Sequence, residues 1–267
     1  MKLPPTLLLS ALLLLPAALQ APFARAVERP GPTPVDVDLV GSSSVPDGAG
    51  GAITVWCEPR PGRGIRVLAQ HLLVSGKADP DWPVDGLAIS GAAGDQLAPI
   101  LVSDHRGGIL VAWQARRGER SKIYVQHVLR SGRLDPGWPV NGSPVCTARG
   151  DQEIPVIATD GHGGALVAWR DRRAGDIDVY AAHLYAWGEL DPSWPADGAA
   201  VHVARGDQLV QTMIADGFGG ATVTWFSRSG ERWGAAAQHL FAWGDVDPDW
   251  PGGGRDLAPA RGGIAMK

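Results

Sequence analysis

The chain has 267 residues, with 36 glycines, 22 prolines and a formal net charge of −4. The negative balance argues against a nucleic-acid partner, which calls for a basic stripe. Glycine and proline at this density interrupt helices, and no window shows a sustained 3.6-residue period, so we expect an all-β protein.

The N-terminus has the pattern of a secretory signal. Lys2 precedes an apolar run from Leu7 to Leu19, which is too short to span a bilayer, and Ala24-Arg25-Ala26 fits a cleavage site. We therefore predict a signal peptide over 1–26, cleavage near Ala26 and a secreted, extracellular or periplasmic protein without membrane insertion. The mature chain would carry 22 basic and 28 acidic residues, a net charge of −6.

Tandem repeats fill most of the mature chain. Gly-Asp-Gln occurs at 94–96, 150–152 and 206–208, and Asp-Pro-x-Trp-Pro occurs at 79–83, 135–139, 191–195 and 247–251, with a spacing of 56 residues in each series. A fixed period of this length indicates a repeat architecture. Four repeats are visible, at about 38–93, 94–149, 150–205 and 206–261.

The third repeat illustrates the predicted elements. Four short apolar runs, at 154–159, 165–169, 177–185 and 199–204, are separated by turn-forming residues. Such a pattern is typical of a four-stranded antiparallel meander. Tandem meanders of this length predict a β-propeller-like fold of four tandem four-stranded antiparallel blades of about 56 residues.

The predicted domain limits follow from the repeats. A linker or closing strand is expected at 27–37, the propeller-like domain at 38–261 and a short tail at 262–267. Val35–Val40 could close the ring against the last blade. The alternatives are a closed four-bladed ring and an incomplete ring that self-association or a further part of the protein completes.

One segment resembles a known group of proteins. Residues 160–173 read DGHGGALVAWRDRR and residues 176–181 read DIDVYA. They resemble the tandem repeats of secreted bacterial propeller-like proteins, which are related to the sialidase-type propellers, over about 45–261. The turn at Thr159–Gly163 is loosely similar to the sialidase Asp-box, but Asp160 directly follows Thr159 and Trp169 lies too far on. The resemblance implies a propeller fold and says little about activity.

Two repeated polar positions invite metal hypotheses. An Asp lies in each first hairpin turn and a His in each third strand; these are Asp47, Asp104, Asp160 and Asp216, and His71, His127, His183 and His239. Each turn offers a single carboxylate, whereas calcium needs several oxygen ligands, so we favour an Asp that accepts backbone N–H bonds. The histidines are expected to pack between blades, with one ring nitrogen bonded to the Pro/Trp loop. No metal and no cofactor are expected.

Tryptophan is concentrated at two repeated positions. One set ends the second strand and is expected in the inter-blade core; it comprises Trp56, Trp113, Trp169 and Trp225. The other, Trp82, Trp138, Trp194 and Trp250, is expected to plug the connection to the fourth strand. Trp187 and Trp243 lie in turns where the first two repeats carry Ser75 and Ser131. Two roles are open for these tryptophans: a platform on which a sugar ring stacks, or a structural residue. Cys57 and Cys146 could pair or remain two isolated thiols.

Meander topology places the candidate binding residues at one end of the sheets. The loops before the first strand and after the second strand share that end. They carry Asp95, Gln96, Asp151, Gln152, Asp207, Gln208, Arg117 and Arg173. Convergent polar groups are typical of a ligand site. The alternative is that Asp95 and its equivalents pair with neighbouring arginines as ties between blades.

No motif for catalysis is evident. Repeated acids are a poor sign of a glycosidase, whose two carboxylates must differ. We therefore expect a non-enzymatic binding or interaction module with a glycan or a protein as ligand. The alternatives are a structural repeat segment of a larger extracellular protein and a sialidase-like glycosidase.

Overall fold

The computed structural model of the chain describes residues 41–229 and 232–257. Within these ranges the protein is built from seventeen β-strands and contains no helix, which confirms the all-β prediction. It follows that this part of the chain also holds no helix able to span a membrane. Four predicted segments lie outside the described residues: the signal peptide at 1–26, the linker at 27–37, the closing strand at Val35–Val40 and the tail at 262–267.

The strands form four antiparallel sheets in chain order. The first contains β1 (Ser42–Pro46), β2 (Ala52–Arg60), β3 (Gly64–Leu72) and β4 (Leu87–Ala88). The second contains β5 (Asp95–Ser103), β6 (Ile109–Arg117) and β7 (Arg120–Leu129), and β7 pairs with both β8 (Arg133–Leu134) and β9 (Ser143–Pro144).

The third and fourth sheets repeat the same plan. The third contains β10 (Gln152–Thr159), β11 (Ala165–Asp171), β12 (Asp178–Leu184) and β13 (Ala199–His202). The fourth contains β14 (Gln208–Ala215), β15 (Ala221–Ser229), β16 (Arg232–Leu240) and β17 (Arg255–Asp256). The four meanders are those that the repeat pattern predicts.

Consecutive sheets pack face to face. The first strand of each sheet lies against the preceding sheet: β5 contacts β1, β2 and β3, β10 contacts β5, β6 and β7, and β14 contacts β10, β11 and β12. This stacking is propeller-like. Among the described strands, extensive contacts between sheets join only consecutive ones. Closure into a four-bladed ring therefore stays a prediction.

Three of the four second-strand tryptophans fill the spaces between sheets, as predicted, whereas Trp56 is only half-buried. Trp113, Trp169 and Trp225 are at most 1 % exposed and belong to three clusters of buried apolar side chains. Burying an aromatic side chain of this size contributes roughly 2–3 kcal/mol by its apolar area alone. These residues explain why a meander with two largely apolar faces is stable only in a stack.

The tryptophans of the Asp-Pro-x-Trp-Pro loops have a further role that their local position did not indicate. The indole N–H of Trp82 donates to the carbonyl of Arg130 at 3.2 Å, and those of Trp138 and Trp194 donate to Ala186 and Ala242 at 2.8 Å. Each acceptor lies 48 residues further on, in the next sheet. These side chains therefore tie neighbouring sheets together.

A glycine supports each core tryptophan. Gly198 has φ +95°, and a Cβ added there would lie 2.5 Å from the Trp169 ring. Gly161, in the same sheet, also has a positive φ, of +79°, but a Cβ there meets nothing within 4 Å. A side chain at Gly161 would therefore meet backbone strain alone, whereas one at Gly198 would meet backbone strain and steric overlap with Trp169.

We expect Gly198→Ala to destabilise the fold more than Gly161→Ala. Each substitution carries a positive-φ cost of about 1 kcal/mol. Gly198→Ala adds the overpacking of Trp169, which costs about 1–3 kcal/mol. Chemical denaturation of both variants tests this prediction. Equal destabilisation would show that the Trp169 ring moves aside with no loss of stability.

Candidate functional site

Each sheet has two chemically different ends. The first, here called the polar end, holds the loops after the second strand, such as Arg172–Ile177, and the segments that lead into the next sheet, such as Val203–Asp207. The opposite end, here called the turn end, holds the Asp-Gly-Gly hairpins and the Asp-Pro-x-Trp-Pro loops. The antiparallel pairing of β10 through β13 fixes this division in the third sheet.

A cleft opens at the polar end between the first and second sheets. It has a volume of about 760 Å³, and its charged lining consists of Arg60, Arg63, Asp95 and Arg116. Arg116 Nη2 lies 2.8 Å from Asp95 Oδ2, which leaves a net positive lining. The rest of the wall is mostly glycine, so backbone groups are accessible to a ligand.

The predicted aspartates share one structural contact. Asp95 Oδ1 accepts the N–H of Ile65 at 3.0 Å, Asp151 Oδ1 accepts that of Ser121 at 2.9 Å, and Asp207 Oδ1 accepts that of Ile177 at 3.1 Å. Each donor belongs to the preceding sheet. The aspartates therefore tie neighbouring sheets together through backbone N–H groups and not through the arginines that were expected. Arg116 pairs with Asp95, but both residues belong to the second sheet.

The predicted glutamines lie in the interior. Gln96, Gln152 and Gln208 are at most 2 % exposed. Gln96 Oε1 accepts the N–H of Val67 at 3.0 Å, and its amide donates to the carbonyl of Ser90 at 3.3 Å. Their side chains thus face the joints between sheets, although the sequence places them beside the half-buried aspartates. A ligand role for this set stays a prediction.

The two predicted arginines differ in environment. Arg117 is exposed at the end of β6. The Arg173 side chain is 20 % exposed and makes a bidentate pair with Asp171, at 2.7 Å to Oδ2 and 2.9 Å to Oδ1. Arg173 also donates to the carbonyl of Asp197 at 2.8 Å, and its guanidinium lies 3.8 Å from the centre of the Tyr180 ring. Arg173 Nη2 also lies 3.3 Å from the sulfur of Cys146, which follows the second sheet, so Arg173 is built into the interface between the second and third sheets.

Asp171 and Asp178 form a pair of carboxyl groups that the sequence did not single out. They are directly opposite in the β11–β12 ladder and are 0 % and 1 % exposed. Directly opposed residues have Cβ atoms about 4.5–5.5 Å apart and side chains on the same face. The two carboxyl groups therefore lie close together at the polar end of the third sheet.

Their environments push the two pKa values in opposite directions. Burial raises the pKa of Asp171, but hydrogen bonds from Arg173 and from the Trp169 indole outweigh burial, so that its pKa is lowered. Burial raises the pKa of Asp178, and the charges of Asp176 and Asp171 raise it further. A long hydrogen bond from the Ala204 N–H, at 3.3 Å, and the charge of Arg173 lower this pKa but do not outweigh the influences that raise it. A pair with diverging pKa values is the arrangement that acid–base catalysis uses.

This pair breaks the repeat symmetry. The equivalent cross-strand pairs are Glu58–Arg66, Ala115–Lys122 and Ser227–Gly234. Only the third of the four described sheets has two acids there. Comparing the repeats position by position would have shown both acids, but their pairing depends on the strand register. Asp171 also has a structural role, because it accepts the indole N–H of Trp169 at 2.8 Å. Ser227 accepts the indole N–H of Trp225 at the same distance in the fourth sheet.

The turn end holds a second polar arrangement, in which each repeated histidine bridges two aspartates. His183 Nδ1 lies 2.9 Å from Asp191 Oδ2, and His183 Nε2 lies 3.0 Å from Asp160 Oδ2. The same contacts recur in the other sheets, at 2.7–3.0 Å, for His71 with Asp79 and Asp47, His127 with Asp135 and Asp104, and His239 with Asp247 and Asp216. The predicted bond to the Pro/Trp loop is confirmed, and the bond to the hairpin Asp is an additional finding.

The hairpin aspartates behave as predicted. Asp160 Oδ1 accepts the N–H groups of His162 and Gly164 at 2.7 and 2.8 Å, and its other oxygen binds His183. The carboxylate therefore serves its own turn and the histidine together. Among the described residues no cluster of His, Cys, Asp and Glu is arranged to hold a metal ion.

The two cysteines are not joined by a disulfide. Cys146 is buried, and burial raises the pKa of its thiol to about 11. A protonated, buried thiol is a poor nucleophile. Of the two predicted alternatives, the structure therefore has the one in which Cys57 and Cys146 do not pair with each other.

Comparison with known proteins gives matches to solved structures only. No protein-family model matches the chain, and no curated protein sequence matches it. A thermostable family-43 glycoside hydrolase has a TM-score of 0.46 at 10 % identity, covering 80 % of this chain and 73 % of that one. An endo-arabinase from Bacteroides thetaiotaomicron has a TM-score of 0.44 at 10 % identity, with coverages of 83 % and 82 %. The polysaccharide lyase Uly1 has a TM-score of 0.49 at 10 % identity, with coverages of 80 % and 60 %.

These matches correct the functional prediction. The expectation of a non-enzymatic binding or interaction module is wrong: the solved structures that match are those of glycan-degrading enzymes. The propeller-like fold agrees with the four stacked sheets, whereas the closer resemblance to the sialidase Asp-box family gains no support. Likeness at this level concerns the fold, so the reaction must be argued from the residues of this chain.

Proposed function

We propose that this chain is a glycan-degrading enzyme that hydrolyses a glycosidic bond at the polar end of the third sheet. The observation that carries the proposal is the facing pair Asp171 and Asp178, whose pKa values are shifted in opposite directions. Glycoside hydrolysis requires two carboxyl groups with unlike protonation, one acidic and one ionised. The two pKa shifts have the directions that this requirement needs, and of the four described sheets only the third has two acids at this place.

The directions of the two pKa shifts assign the roles. Asp178, whose pKa is raised by burial and by neighbouring carboxylates, is the proton donor to the oxygen of the leaving sugar. Asp171, kept ionised by Arg173, faces the positive charge that develops at the anomeric carbon.

Substrate access requires movement of the loop that covers the pair. Arg172 and residues 174–176 are exposed, whereas Asp171 and Asp178 beneath them are enclosed. Loops that close over a reacting bond exclude water and keep an acid's pKa raised. Displacement of residues 174–176 by a bound glycan would expose both carboxyl groups while Arg173 stays paired with Asp171.

The arginine-lined cleft supports binding of a glycan at the same end. Arg60, Arg63 and Arg116 present guanidinium groups, which suit sugar hydroxyls and the carboxylates of acidic sugars. Export of the mature chain 27–267 and closure of four sheets into a ring are part of the same proposal. Neither a protein ligand nor self-association is supported.

Asp178→Asn is expected to abolish hydrolysis without destabilising the protein. The amide cannot donate the proton, so kcat should fall at least a hundredfold. A carboxyl group with a raised pKa opposes folding once it is ionised, so the neutral amide should leave stability at pH 7 unchanged or slightly increased. The measurement is release of reducing ends from glycans, with thermal unfolding of the same samples.

Glu153→Gln is the matched control. Glu153 forms a partly exposed pair with Arg172 at 3.0 Å in the same sheet and should retain activity. Asp178→Asn protein that remains folded and fully active would contradict the assignment of Asp178. Loss of activity in both variants would make the effect unspecific and would also count against it.

A further inference from the structure

Two exposed tryptophans lie at the same position of adjacent repeats, at the turn end. Trp187 and Trp243 are each 53 % exposed. Each ring stacks on a second aromatic ring, Trp187 on Tyr185 with centroids 4.7 Å apart and Trp243 on Phe241 with centroids 4.8 Å apart. One face of each indole is therefore supported from below, and the exposed part of the ring is held in a fixed orientation.

The polar edge of each indole is fixed as well. Trp187 Nε1 donates to Glu189 Oε2 at 3.0 Å, and Trp243 Nε1 donates to Asp245 Oδ2 at 2.9 Å. Tyr185, beneath Trp187, donates its hydroxyl to Asp191 Oδ1 at 2.8 Å. Ring stacking and hydrogen bonds thus restrict both rotations of the indole, which reduces the entropy lost when a ligand binds.

The backbone of these turns is anchored to the preceding sheet. Gly188 has φ +84°, and a Cβ there would lie 2.7 Å from the Trp138 ring; Gly244 is placed in the same way against Trp194. The indole N–H of Trp138 also donates to the carbonyl of Ala186, next to Trp187. The exposed tryptophans therefore stand on a rigid support.

The first two repeats lack this arrangement, although they have the same turn. Ser75 and Ser131 occupy the tryptophan position, and Lys77 and Arg133 occupy the position of the acid. The turn thus forms without an aromatic residue, so the tryptophans are not needed for the local fold. Their restriction to the third and fourth repeats indicates a ligand that spans two neighbouring sheets.

We propose that Trp187 and Trp243 form a second sugar-binding surface, for a neutral polysaccharide chain, separate from the polar end. Rigid exposed indoles match the apolar face of a pyranose ring, and the adjacent carboxylates accept hydrogen bonds from its hydroxyls. Glu189 and Asp245 give the surface negative charge, which disfavours acidic glycans. The surface would hold a polysaccharide while hydrolysis proceeds at the opposite end of the sheets.

The test replaces each tryptophan with the serine of the first two repeats. Trp187→Ser, Trp243→Ser and the double variant are made in the Asp178→Asn background, so that binding is measured without turnover. The probes are soluble xylan, arabinan and mannan as neutral chains and polygalacturonate as the acidic chain. Binding is measured by affinity electrophoresis and by quenching of tryptophan fluorescence. Val140→Ala, which alters another exposed apolar side chain (87 % exposed) at the turn end, is the control.

We expect at least one neutral polysaccharide to retard the parent protein, and each single serine variant to bind it about three- to tenfold more weakly. The double variant should lose retardation, while Val140→Ala should bind as the parent does. Polygalacturonate should bind equally to all variants or to none. Retardation unchanged in the double variant, or absent from the parent with all three neutral probes, would overturn the proposal. Short chromogenic glycosides test hydrolysis separately, because they do not reach the second surface.

Discussion

Arg173→Ala is expected to destabilise the protein by about 3–5 kcal/mol. Asp171 is fully buried and depends on Arg173 for a bidentate ion pair. Removing the guanidinium leaves a buried carboxylate with an uncompensated charge, which is the costly way to break such a pair. The variant also loses the hydrogen bond to the Asp197 carbonyl and the contact with the Tyr180 ring.

Arg117→Ala is the control for this prediction. Arg117 lies at the equivalent position of the second sheet but is exposed, so its replacement should change stability by less than about 0.5 kcal/mol. Denaturant unfolding monitored by fluorescence gives both values. Similar stabilities for the two variants would mean that Asp171 finds another partner and that the pair is not essential.

The distinction also affects any binding experiment. Both arginines were candidates for ligand binding, but weaker binding by Arg173→Ala would follow from loss of the fold alone. Of these two variants, only Arg117→Ala can test a ligand role without disturbing the interface between the sheets.

His183→Ala is expected to cost about 3 kcal/mol near pH 6, because two hydrogen bonds to charged groups are lost. Asp160 and Asp191 would then be left with no cation between them. The exposed side chain of His162, in the adjoining hairpin turn, offers the control: His162→Ala should leave stability nearly unchanged. Equal effects of the two substitutions would contradict the bridging role.

The histidine bridges also make stability depend on pH. Burial lowers the pKa of His127, His183 and His239, but hydrogen bonds to the flanking aspartates outweigh it, so that all three pKa values are raised. This stabilisation is complete below the unfolded-state pKa of about 6.5 and is lost as pH rises through the folded-state value.

The flanking aspartates determine how stability falls at acidic pH. Burial raises the pKa of Asp160 and of Asp191, but hydrogen bonds, including those from His183, lower both overall, that of Asp191 to about 2. Their contribution is present above pH of about 3.9 and is lost as pH falls through the folded-state values. We therefore expect the highest free energy of unfolding between about pH 4 and 6.5, with a decline on both sides. Denaturant titrations across pH 3–9 measure it, and a flat profile above pH 6.5 would show that the histidines are not charged in the folded protein.

Much of the fold could be predicted from the repeats. The 56-residue period gives the number of meanders, and turn residues such as Asp160 and Gly164 mark the hairpins. The histidine bridges were also accessible, because an Asp lies eight residues after each repeated His and another lies 23 or 24 residues before it. Constant spacing between chemically complementary residues signals contact when the intervening turns are also repeated.

The burial of individual polar side chains and the pairing of the two acids could not be predicted, because both depend on strand register and on how the sheets stack. Gln96 and Asp95 are neighbours in sequence, yet one side chain is buried and the other lines the cleft. Alternation along a strand decides this, and β5 contains a bulge that shifts it between Leu97 and Ile100. The pairing of Asp171 with Asp178 likewise depends on the length of the loop between them.

The most direct test of the central claim is hydrolysis by the mature chain, residues 27–267, of a panel of neutral and acidic polysaccharides. Release of reducing ends should be measured between pH 4 and 8, beside the Asp178→Asn variant at equal concentration. The account predicts release from at least one polysaccharide, with activity lost at high pH as Asp178 ionises, and none from the variant. No release from any polysaccharide by folded protein, or equal release by the variant, would contradict it.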